Sequence, residues 1–425
     1  MTTEEKVMTR KTIQLTSAIA LAAGLGFAAT ASAQEETVVG HLTYHTGEFG
    51  AFGPFFDGVA EVAIAKINQD PPLGRPWRAV HQDIGTVGEA RAARKLVDSD
   101  GVHILLNPAH SYMSYREFML ETIAEQGYPI MPSVHGGAID GSIGGVAEEP
   151  IFRGSPMDTA QGTAALLYAQ QAGKNRVVIV GTETAGAQLQ KNAALRTAEA
   201  LGMDVLDDFD IQASDSNYRS VVSRIARLDP EAVVIFSSTN AGGSIVKNAA
   251  EAGESWFVVG PTDWQETEFI DTATESALAQ HEEVAMAAFA HAENPAWEAY
   301  EPFANSSPNI EDIGDVANSY AIQYYDVMIA TALAIEKAGE ISSESWTEAM
   351  YDVTGGDGEI VYTYEDGLAA IRDGREINYD GVTGTMEYTP TGIVSGLFGI
   401  FEWQDGELVQ IDSVDGDAVL EHESM

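Results

Sequence analysis

The sequence predicts an α/β protein with two lobes, each built on a doubly wound parallel sheet. Segments typical of buried strands alternate with amphipathic helical segments along the chain, which indicates right-handed βαβ units. The 425 residues are too many for one hydrophobic core, and 45% of them are hydrophobic. Repeats and low-complexity linkers are missing from the sequence. Two lobes joined by short extended crossings therefore fit better than separate domains on a string.

The amino-terminal half begins with a β-branched strand at Thr37–Thr43. Apolar residues at helical spacing follow at Phe56, Val59, Ala60, Ala63, Ile64 and Ile67. The other elements predicted in this half are a strand at 101–106, a helix at about 115–126 and a strand at 128–133. Ser114 and Glu117 have the spacing of a capping box, which predicts the start of that helix.

The second half continues the alternation. Its predicted strands lie at 176–180, 232–236 and 256–259, and its helices near 159–172, 187–201 and 242–252. A long helix is predicted at 319–339, with Gly339 as its stop signal. From Gly384 the sequence becomes rich in glycine and aromatic residues, which indicates a strand at 398–403. The tail after Asp412 is acidic and is predicted to be loose.

The first 33 residues have the features of an export signal rather than of the fold. Arg10 and Lys11 precede an apolar run at 18–29, and Ala31-Ser32-Ala33 forms an A-x-A cleavage site. We expect cleavage after Ala33; the true start can be Met1 or Met8. The chain has no cysteine, which excludes disulfides and a lipidated cysteine anchor. A periplasmic location without a membrane anchor follows as the expectation.

The charge of the chain is extreme, with 65 acidic and 22 basic residues and a formal net charge of −43. No basic surface is available to neutralise phosphates, so nucleic acids and anionic lipid surfaces are excluded as partners. Repulsion of this size destabilises a compact state in dilute buffer and is screened at high ionic strength. The composition is typical of a protein adapted to a salty medium.

Catalytic motifs are missing from the sequence. It contains no G-x-S-x-G elbow, P-loop, H-E-x-x-H motif or G-x-G-x-x-G turn. His41 and His45 are four residues apart but flank a predicted strand, where that spacing does not bring two imidazoles together. We therefore predict no enzyme activity, catalytic residue, metal ligand or cofactor.

Several short stretches of the sequence match one family pattern when they are taken in order. They are the run from His45 to Gly53, Lys66 to Asn68, Asp83 with Gly85, Ala92 to Val97, Phe152-Arg153 with Asp158 and Gln161-Gly162, Tyr325-Asp326, Gly381 to Gly384, and Gly396 to Trp403. Together they resemble the branched-chain-amino-acid-type periplasmic binding proteins of ABC transporters. The resemblance covers nearly the whole chain after the signal, and its strength lies in the order of weak motifs. It implies the type I fold of this family, with a three-strand hinge and a ligand cleft that closes between the lobes. The implied lobes are 34–155 plus 288–385, and 156–287 plus 386–415, with an acidic tail at 416–425.

The resemblance also implies ligand-binding positions in the first lobe. Ser111 falls on the family's carboxylate-binding serine, and with His110 it lies between a strand and a helix, where backbone amides can hold an anion. His135 stands where the family has a small hydroxyl residue. Phe52 matches a position that contacts the ligand's side chain. Tyr112 and Phe49 are weaker candidates for the pocket wall. Each of these residues can equally serve as a loop, surface or core residue.

The second lobe departs from the pattern. Family members often have a tyrosine directly before a loop glycine, and in this sequence that tyrosine is replaced by Ala185, before Gly186. Ala241 stands at the position where family members have an acidic residue that pairs with the ligand's ammonium. An ammonium without an anion is costly to desolvate. Either Glu183 or Asp263 supplies the charge, or the ligand is not an α-amino acid; Trp264 is a candidate aromatic wall. The ligand stays open, with a small carboxylate or amide slightly favoured over leucine.

The family's function implies a partner, the permease and ATPases of an importer in the inner membrane. A transport receptor is expected to act as a monomer. The alternative is a sensor of the same fold whose ligand-bound state is detected by a regulatory protein. The export signal favours transport, since the amide-sensing relatives of this fold are cytoplasmic.

Overall fold

A computed structural model describes residues 35–423, apart from 48, 216 and 395. The predicted export signal, its cleavage site after Ala33 and its two possible starts lie outside these residues. In the part of the chain that is described, no helix is both long and apolar enough to cross a membrane.

Strands and helices alternate through most of the described chain. The strands are β1 (Thr37–Thr43), β2 (Trp77–Asp83), β3 (Ile104–Leu106), β4 (Met131–Ser133), β5 (Ile151–Arg153), β6 (Arg176–Thr182), β7 (Asp204–Ile211), β8 (Ala232–Phe236), β9 (Phe257–Gly260), β10 (Glu283–Phe289), β11 (Glu359–Val361), β12 (Ile377–Gly381), β13 (Gly384–Thr385), β14 (Phe398–Gln404) and β15 (Glu407–Val414). The helices are α1 (Gly53–Ile67), α2 (Glu89–Asp98), α3 (Arg116–Gln126), α4 (Asp158–Gln171), α5 (Ala185–Leu201), α6 (Arg219–Ala226), α7 (Thr239–Ala252), α8 (Thr267–Ala273), α9 (Glu275–Leu278), α10 (Pro295–Asn305), α11 (Ile310–Ile313), α12 (Ser319–Ala338), α13 (Ser343–Thr354), α14 (Tyr364–Arg372) and α15 (Gly416–Glu423).

The first lobe is built around β1, which lies between β2 and β3 in a parallel sheet. The parallel pair β4 and β5 continues this layer, because Ile104 of β3 bridges to Ile130 just before β4. Every residue of β1 is buried, as is typical of a strand with parallel neighbours and helices over the sheet. A smaller sheet of order β11-β12-β13 completes the lobe.

The second lobe contains one seven-stranded sheet of order β15-β14-β10-β9-β8-β6-β7. The five strands from β6 to β10 run parallel to one another, whereas β14 is antiparallel to both β10 and β15. β8 is buried at all five positions. The predicted α/β class with parallel sheets is confirmed.

The long helix α12 forms much of the core of the first lobe, and nearly all of its residues are buried. It ends at Gly339, whose φ of 76° is the left-handed conformation of a helix stop. Asp326 near its middle accepts hydrogen bonds from the Tyr379 hydroxyl at 2.9 Å, the Val382 amide at 2.9 Å and the Thr383 amide at 2.7 Å. These bonds hold the helix against the turn that follows β12.

The chain passes between the two sheets three times. It leaves the first lobe between β5 and α4, returns between β10 and α10, and leaves again before β14. Short extended segments therefore connect the lobes, as expected from the sequence. The residue bounds given above for each lobe stay a prediction.

Two local predictions are wrong. The capping box does not form, because Ser114 ends a short 3-10 turn and its hydroxyl donates to the Ser111 carbonyl at 2.7 Å, while Tyr115 occupies the N-cap position of α3 without a side-chain bond. The acidic tail is not loose, because β15 continues to Val414 and α15 follows it. Val419 of α15 is buried in the core of the second lobe, which gives that helix an apolar anchor.

Candidate ligand-binding cleft

A cavity opens between the lobes, beside the carboxyl ends of β1 and β4 and the amino-terminal turns of α4 and α12. Its empty volume is about 680 Å³. It is lined by Tyr44, Phe49, Phe56, His110, Val134, His135, Gly137, Ser155, Pro156, Asp158, Gln161, Thr262, Phe289, Ser319, Tyr320 and Gln323. Open α/β sheets bind their ligands at this kind of position, outside the carboxyl ends of the strands.

Aromatic rings form the apolar wall of the cavity. The rings of Tyr44 and Phe49 meet edge to face at 5.3 Å between centroids, and those of Phe56 and Tyr320 do so at 5.7 Å. Such rings present rigid apolar faces at a low cost in side-chain entropy. The wall therefore fits a compact apolar or aromatic group.

A second cavity with an empty volume of about 1020 Å³ adjoins the first and shares Phe49, Phe56 and Tyr320 with it. Phe52 lines this second cavity, and its ring stacks on that of Phe56 at 5.8 Å between centroids. Phe52 thus packs against Phe56 from the side of the second cavity and does not line the first cavity. Phe49, which the sequence ranked lower, lies on both.

Asp158, the first residue of α4, places a carboxylate in the cavity. Two glycines leave room for it: an ideal Cβ at Gly137 would lie 2.4 Å from Oδ1, and one at Gly186 would lie 3.1 Å from Oδ2. Burial raises the pKa of Asp158, and His110 acts in the opposite direction. No hydrogen bond from the described residues offsets this burial. The site therefore holds a half-buried acid without such a hydrogen bond, and His110 is the group that opposes the effect of burial on it.

His135 lines the cavity from the loop after β4, with its ring 4.6 Å from that of Phe56. Burial, helped by His110, lowers the pKa of His135 to about 3, so the ring is neutral. Its Nε2 lies 3.3 Å from the Tyr324 hydroxyl, and its Nδ1 has no hydrogen-bond partner among the described residues. When Nε2 accepts the hydroxyl hydrogen, Nδ1 carries the ring hydrogen and can donate to a ligand oxygen.

The loop at Ser111 does hold a carboxylate, but it is the protein's own. The amides of Ala109 and Ser111 donate to the two oxygens of the buried Glu89, at 2.8 and 2.9 Å. The Tyr115 hydroxyl adds a third bond to Glu89 at 2.6 Å. Because these amides are engaged and Ser111 is exposed outside the cavity, the structure does not bring the predicted anion site together. His110 does line the cavity.

Arg153 fixes the loop on which His135 and Gly137 lie. Its fully buried guanidinium donates to four backbone carbonyls, those of Gly136 at 3.2 Å, Asp140 at 3.2 Å, Ile143 at 2.7 Å and Thr391 at 3.1 Å. Burial lowers the pKa of Arg153 to about 10, which leaves it charged at neutral pH. Arg153 thus fixes the conformation of this loop, which lines the cavity.

The remaining predicted residues lie away from the first cavity. Tyr112 is fully buried, and its hydroxyl donates to Glu149 at 2.7 Å. Glu183 is exposed on the loop before α5 and lines neither cavity. Asp263 lines the second cavity. Ala241 is buried on α7.

The prediction that Trp264 forms an aromatic wall is wrong. Its ring is fully buried, stacks on Phe269 at 4.5 Å and donates from Nε1 to the Ser237 carbonyl at 3.2 Å. It fills the space left by two glycines, since a Cβ at Gly242 or Gly260 would come within 2.3 and 2.1 Å of the indole. Trp264 therefore belongs to the core of the second lobe.

Sequence reasoning missed several cavity residues, namely Asp158, Gln161, Thr262, Tyr320 and Gln323. Asp158 and Gln161 were noted only as marks of the family. An acid at the start of a helix is common because it complements the helix dipole, so the sequence offered no signal that this one faces a cleft. Gln161 accepts from the Thr262 hydroxyl at 3.0 Å, which leaves its NH₂ group as a donor for a ligand.

A cleft between two parallel-sheet lobes, lined by aromatic rings and a few polar groups, defines a two-lobed solute-binding protein. The sequence pattern of the periplasmic binding protein family matches residues 36–376. The chain belongs to this family. No curated protein matches it in sequence.

Solved structures with the same fold are substrate-binding proteins. A leucine-binding protein, LivK of Thermotoga maritima, is 18% identical with a TM-score of 0.71, over 90% of this chain and 99% of that one. LivJ of Streptococcus pneumoniae in complex with isoleucine is 16% identical with a TM-score of 0.70, over 89% and 99%. A solute-binding protein from R. palustris in complex with benzoate is 18% identical with a TM-score of 0.66, over 89% and 96%. The predicted family and type I fold are confirmed.

Proposed function

We propose that this protein is the exported receptor of an ABC importer and that its solute carries a protonated nitrogen next to a compact apolar or aromatic group. The observation that carries the proposal is the Asp158 carboxylate in the cavity. Burying an acid without a partner is unfavourable, and a cation held against it offsets much of that cost. The ligand thereby places a cation directly against this carboxylate.

The polar groups around the rest of the cavity suit the other end of such a solute. The Nδ1 of His135 and the NH₂ group of Gln161 are available donors, and a carboxylate or carbonyl oxygen accepts from both. The aromatic wall takes the side chain. An α-amino acid with a branched or aromatic side chain combines all three features.

This proposal revises the preference drawn from the sequence. A ligand without an ammonium was favoured because Ala241 stands at the acidic position of the family. Asp158 offers an acid from the start of α4 instead, so the alanine no longer argues against an amino acid. The leucine-binding protein and the isoleucine complex among the similar structures support this class of ligand.

Aromatic acids form the second candidate class, since a similar structure holds benzoate. An acid without a nitrogen leaves Asp158 either unpaired or protonated. A protonated Asp158 can donate to the ligand's carboxylate, and burial favours that form. An amino acid therefore requires a charged Asp158, whereas an aromatic acid is bound best when Asp158 is protonated.

Delivery to a permease follows from the family. Cleavage after Ala33 releases the chain into the periplasm without an anchor. Closure of the lobes 34–155 plus 288–385 and 156–287 plus 386–415 around the solute produces the form that the permease accepts, because only the closed form contacts the solute from both sides.

The test is a thermal-shift screen in molar sodium chloride, followed by calorimetry, with branched-chain and aromatic amino acids and with benzoate-type acids. Ligands that bind the folded state raise its melting temperature by mass action. We expect amino acids to do so, and Asp158→Asn to weaken them by about a hundredfold, the cost of an unpaired buried charge. Glu183→Gln, on a carboxylate that lines neither cavity, is the matched control that keeps full affinity. Tight binding of benzoate alone, unchanged or improved in Asp158→Asn, contradicts the amino-acid class.

A further inference from the structure

A cluster of histidine and carboxylate groups lies in the first lobe, outside the ligand cavity. His41 and His81 are partners in the parallel register of β1 and β2, so their side chains emerge side by side from the same face of the sheet. Asp57 on α1 completes the group. His41 is fully buried, and the side chains of His81 and Asp57 are 23% and 24% exposed.

Three ligand atoms converge in this cluster. His41 Nδ1 and His81 Nδ1 are 2.9 Å apart, and Asp57 Oδ1 lies 3.6 Å from the first and 3.1 Å from the second. Ligand atoms at the corners of a tetrahedron around Zn²⁺ are separated by about 3.3 Å when each lies about 2.0 Å from the metal. The three separations scatter closely around this value.

The cluster is poorly satisfied without a cation. Two Nδ1 atoms that face each other can share only one hydrogen. Asp57 Oδ1 is buried and lies 3.1 Å from His81 Nδ1, so a single hydrogen on that nitrogen faces two acceptors, Asp57 Oδ1 and His41 Nδ1. A metal ion accepts the lone pairs of all three atoms at once and removes this conflict.

The surrounding groups have the arrangement of a second coordination shell. His81 Nε2 lies 3.2 Å from Glu61 Oε1, and His41 Nε2 lies 3.0 Å from the Tyr324 hydroxyl. An acceptor at the far nitrogen keeps the hydrogen there and leaves Nδ1 free to bind a metal. The other oxygen of Asp57 is held by His45 Nε2 at 2.9 Å. Each of the three ligands therefore has a group that orients it.

We propose that His41, His81 and Asp57 form a binding site for a divalent transition metal of the zinc type. Two imidazoles and one carboxylate favour zinc, cobalt, nickel or copper over calcium and magnesium, which prefer all-oxygen sites. Partial exposure of His81 and Asp57 gives the ion a path of entry and leaves a fourth position for water. The site is separate from the ligand cavity and does not depend on the identity of the solute.

The test measures zinc and cobalt binding to the purified, chelator-treated protein by calorimetry and visible absorption. Molar sodium chloride and excess magnesium are present, because the acidic surface attracts any divalent cation without specificity. We expect one tight equivalent of zinc, and a cobalt spectrum of the intensity typical of four-coordinate sites. His81→Gln and Asp57→Asn each weaken binding by about a hundredfold, since each removes one of three ligands. His422→Gln on α15, outside the cluster, leaves binding unchanged.

Circular dichroism melting checks that each variant is folded, and if a variant is not, the cobalt spectrum of the unaltered protein decides. Absence of a stoichiometric site, or binding that excess magnesium abolishes, overturns the proposal. Equal affinity in His81→Gln and His422→Gln does so too. In those cases the cluster is a pair of hydrogen-bonded histidines held between Asp57 and Glu61.

Discussion

The carboxylate of Asp158 occupies the space in which a side chain at Gly137 would lie. An ideal Cβ at Gly137 would stand 2.4 Å from Asp158 Oδ1. The glycine belongs to the loop after β4 and the aspartate to the first turn of α4, so the contact joins the two segments on either side of the first crossing. The acid reaches the cavity because the opposing loop has no side chain at this point.

Gly137→Ala is expected to weaken amino-acid binding by about tenfold or more by displacing the Asp158 carboxylate, since a tenfold loss requires only about 1.4 kcal/mol. Calorimetry measures the affinity. Gly141→Ala is the matched control on the same loop, because its Cβ makes ordinary contacts at 3.7 and 3.8 Å. Equal affinity in both variants contradicts the placement of Asp158 in the site.

Ligand binding is expected to depend on pH through Asp158. Burial raises the pKa of Asp158 above 3.8 in the empty protein, so its contribution to stability is present below 3.8 and is lost as pH rises through the raised pKa. A bound ammonium lowers that pKa again, and the melting-temperature gain from an amino acid therefore grows as pH rises. Thermal shifts measured between about pH 4 and about pH 8, above the ordinary pKa of an aspartate, test this. Asp158→Asn removes the acid, and a pH slope retained in that variant contradicts the assignment.

Arg153→Lys is expected to destabilise the protein by about 3 kcal/mol and to weaken ligand binding. A lysine cannot reproduce the planar fork that serves four carbonyls, and bonds to charged groups contribute about 1.5–3 kcal/mol each. Urea unfolding gives the loss of stability and calorimetry the loss of affinity. Arg94→Lys on α2 is the control: Arg94 is exposed and lies over the Phe118 ring. A loss no greater than that of the control contradicts the role of Arg153.

Stability is expected to rise with salt because of the net charge of −43. The screening length falls from about 10 Å at 0.1 M to about 3 Å at 1 M salt. We expect the melting temperature to rise by about 5 °C or more over this range. Sucrose is the comparison, since it favours burial without screening charge. An equal response to sucrose and sodium chloride argues against salt adaptation as the reason for the composition.

Much of the secondary structure in both lobes could be predicted from local pattern. The strand at Ala232–Phe236 has the bounds that its unbroken apolar run predicted, and α12 ends at Gly339 as its stop signal indicated. The structure of the acidic tail was predicted less well. Its acidic composition gave no indication of the apolar face that Val419 gives to α15.

The site was less predictable than the fold. His110 and His135 line the cavity, whereas Trp264 is in the core. A polar or aromatic residue after a strand can face a cleft, a neighbouring loop or the core, and spacing along the chain does not distinguish these outcomes. Ser111 shows this most clearly, since its loop binds an anion that comes from Glu89.

The sequence by itself determined the alternation of strands and helices, the acidic surface and the absence of thiol chemistry, because these depend on composition and on short-range periodicity. The tertiary structure alone decided which groups meet. His41 and His81 are 40 residues apart and adjoin through strand register, and Asp158 reaches the cleft through the space left by Gly137. Such contacts depend on the packing of segments distant in the chain, and no local spacing encodes them.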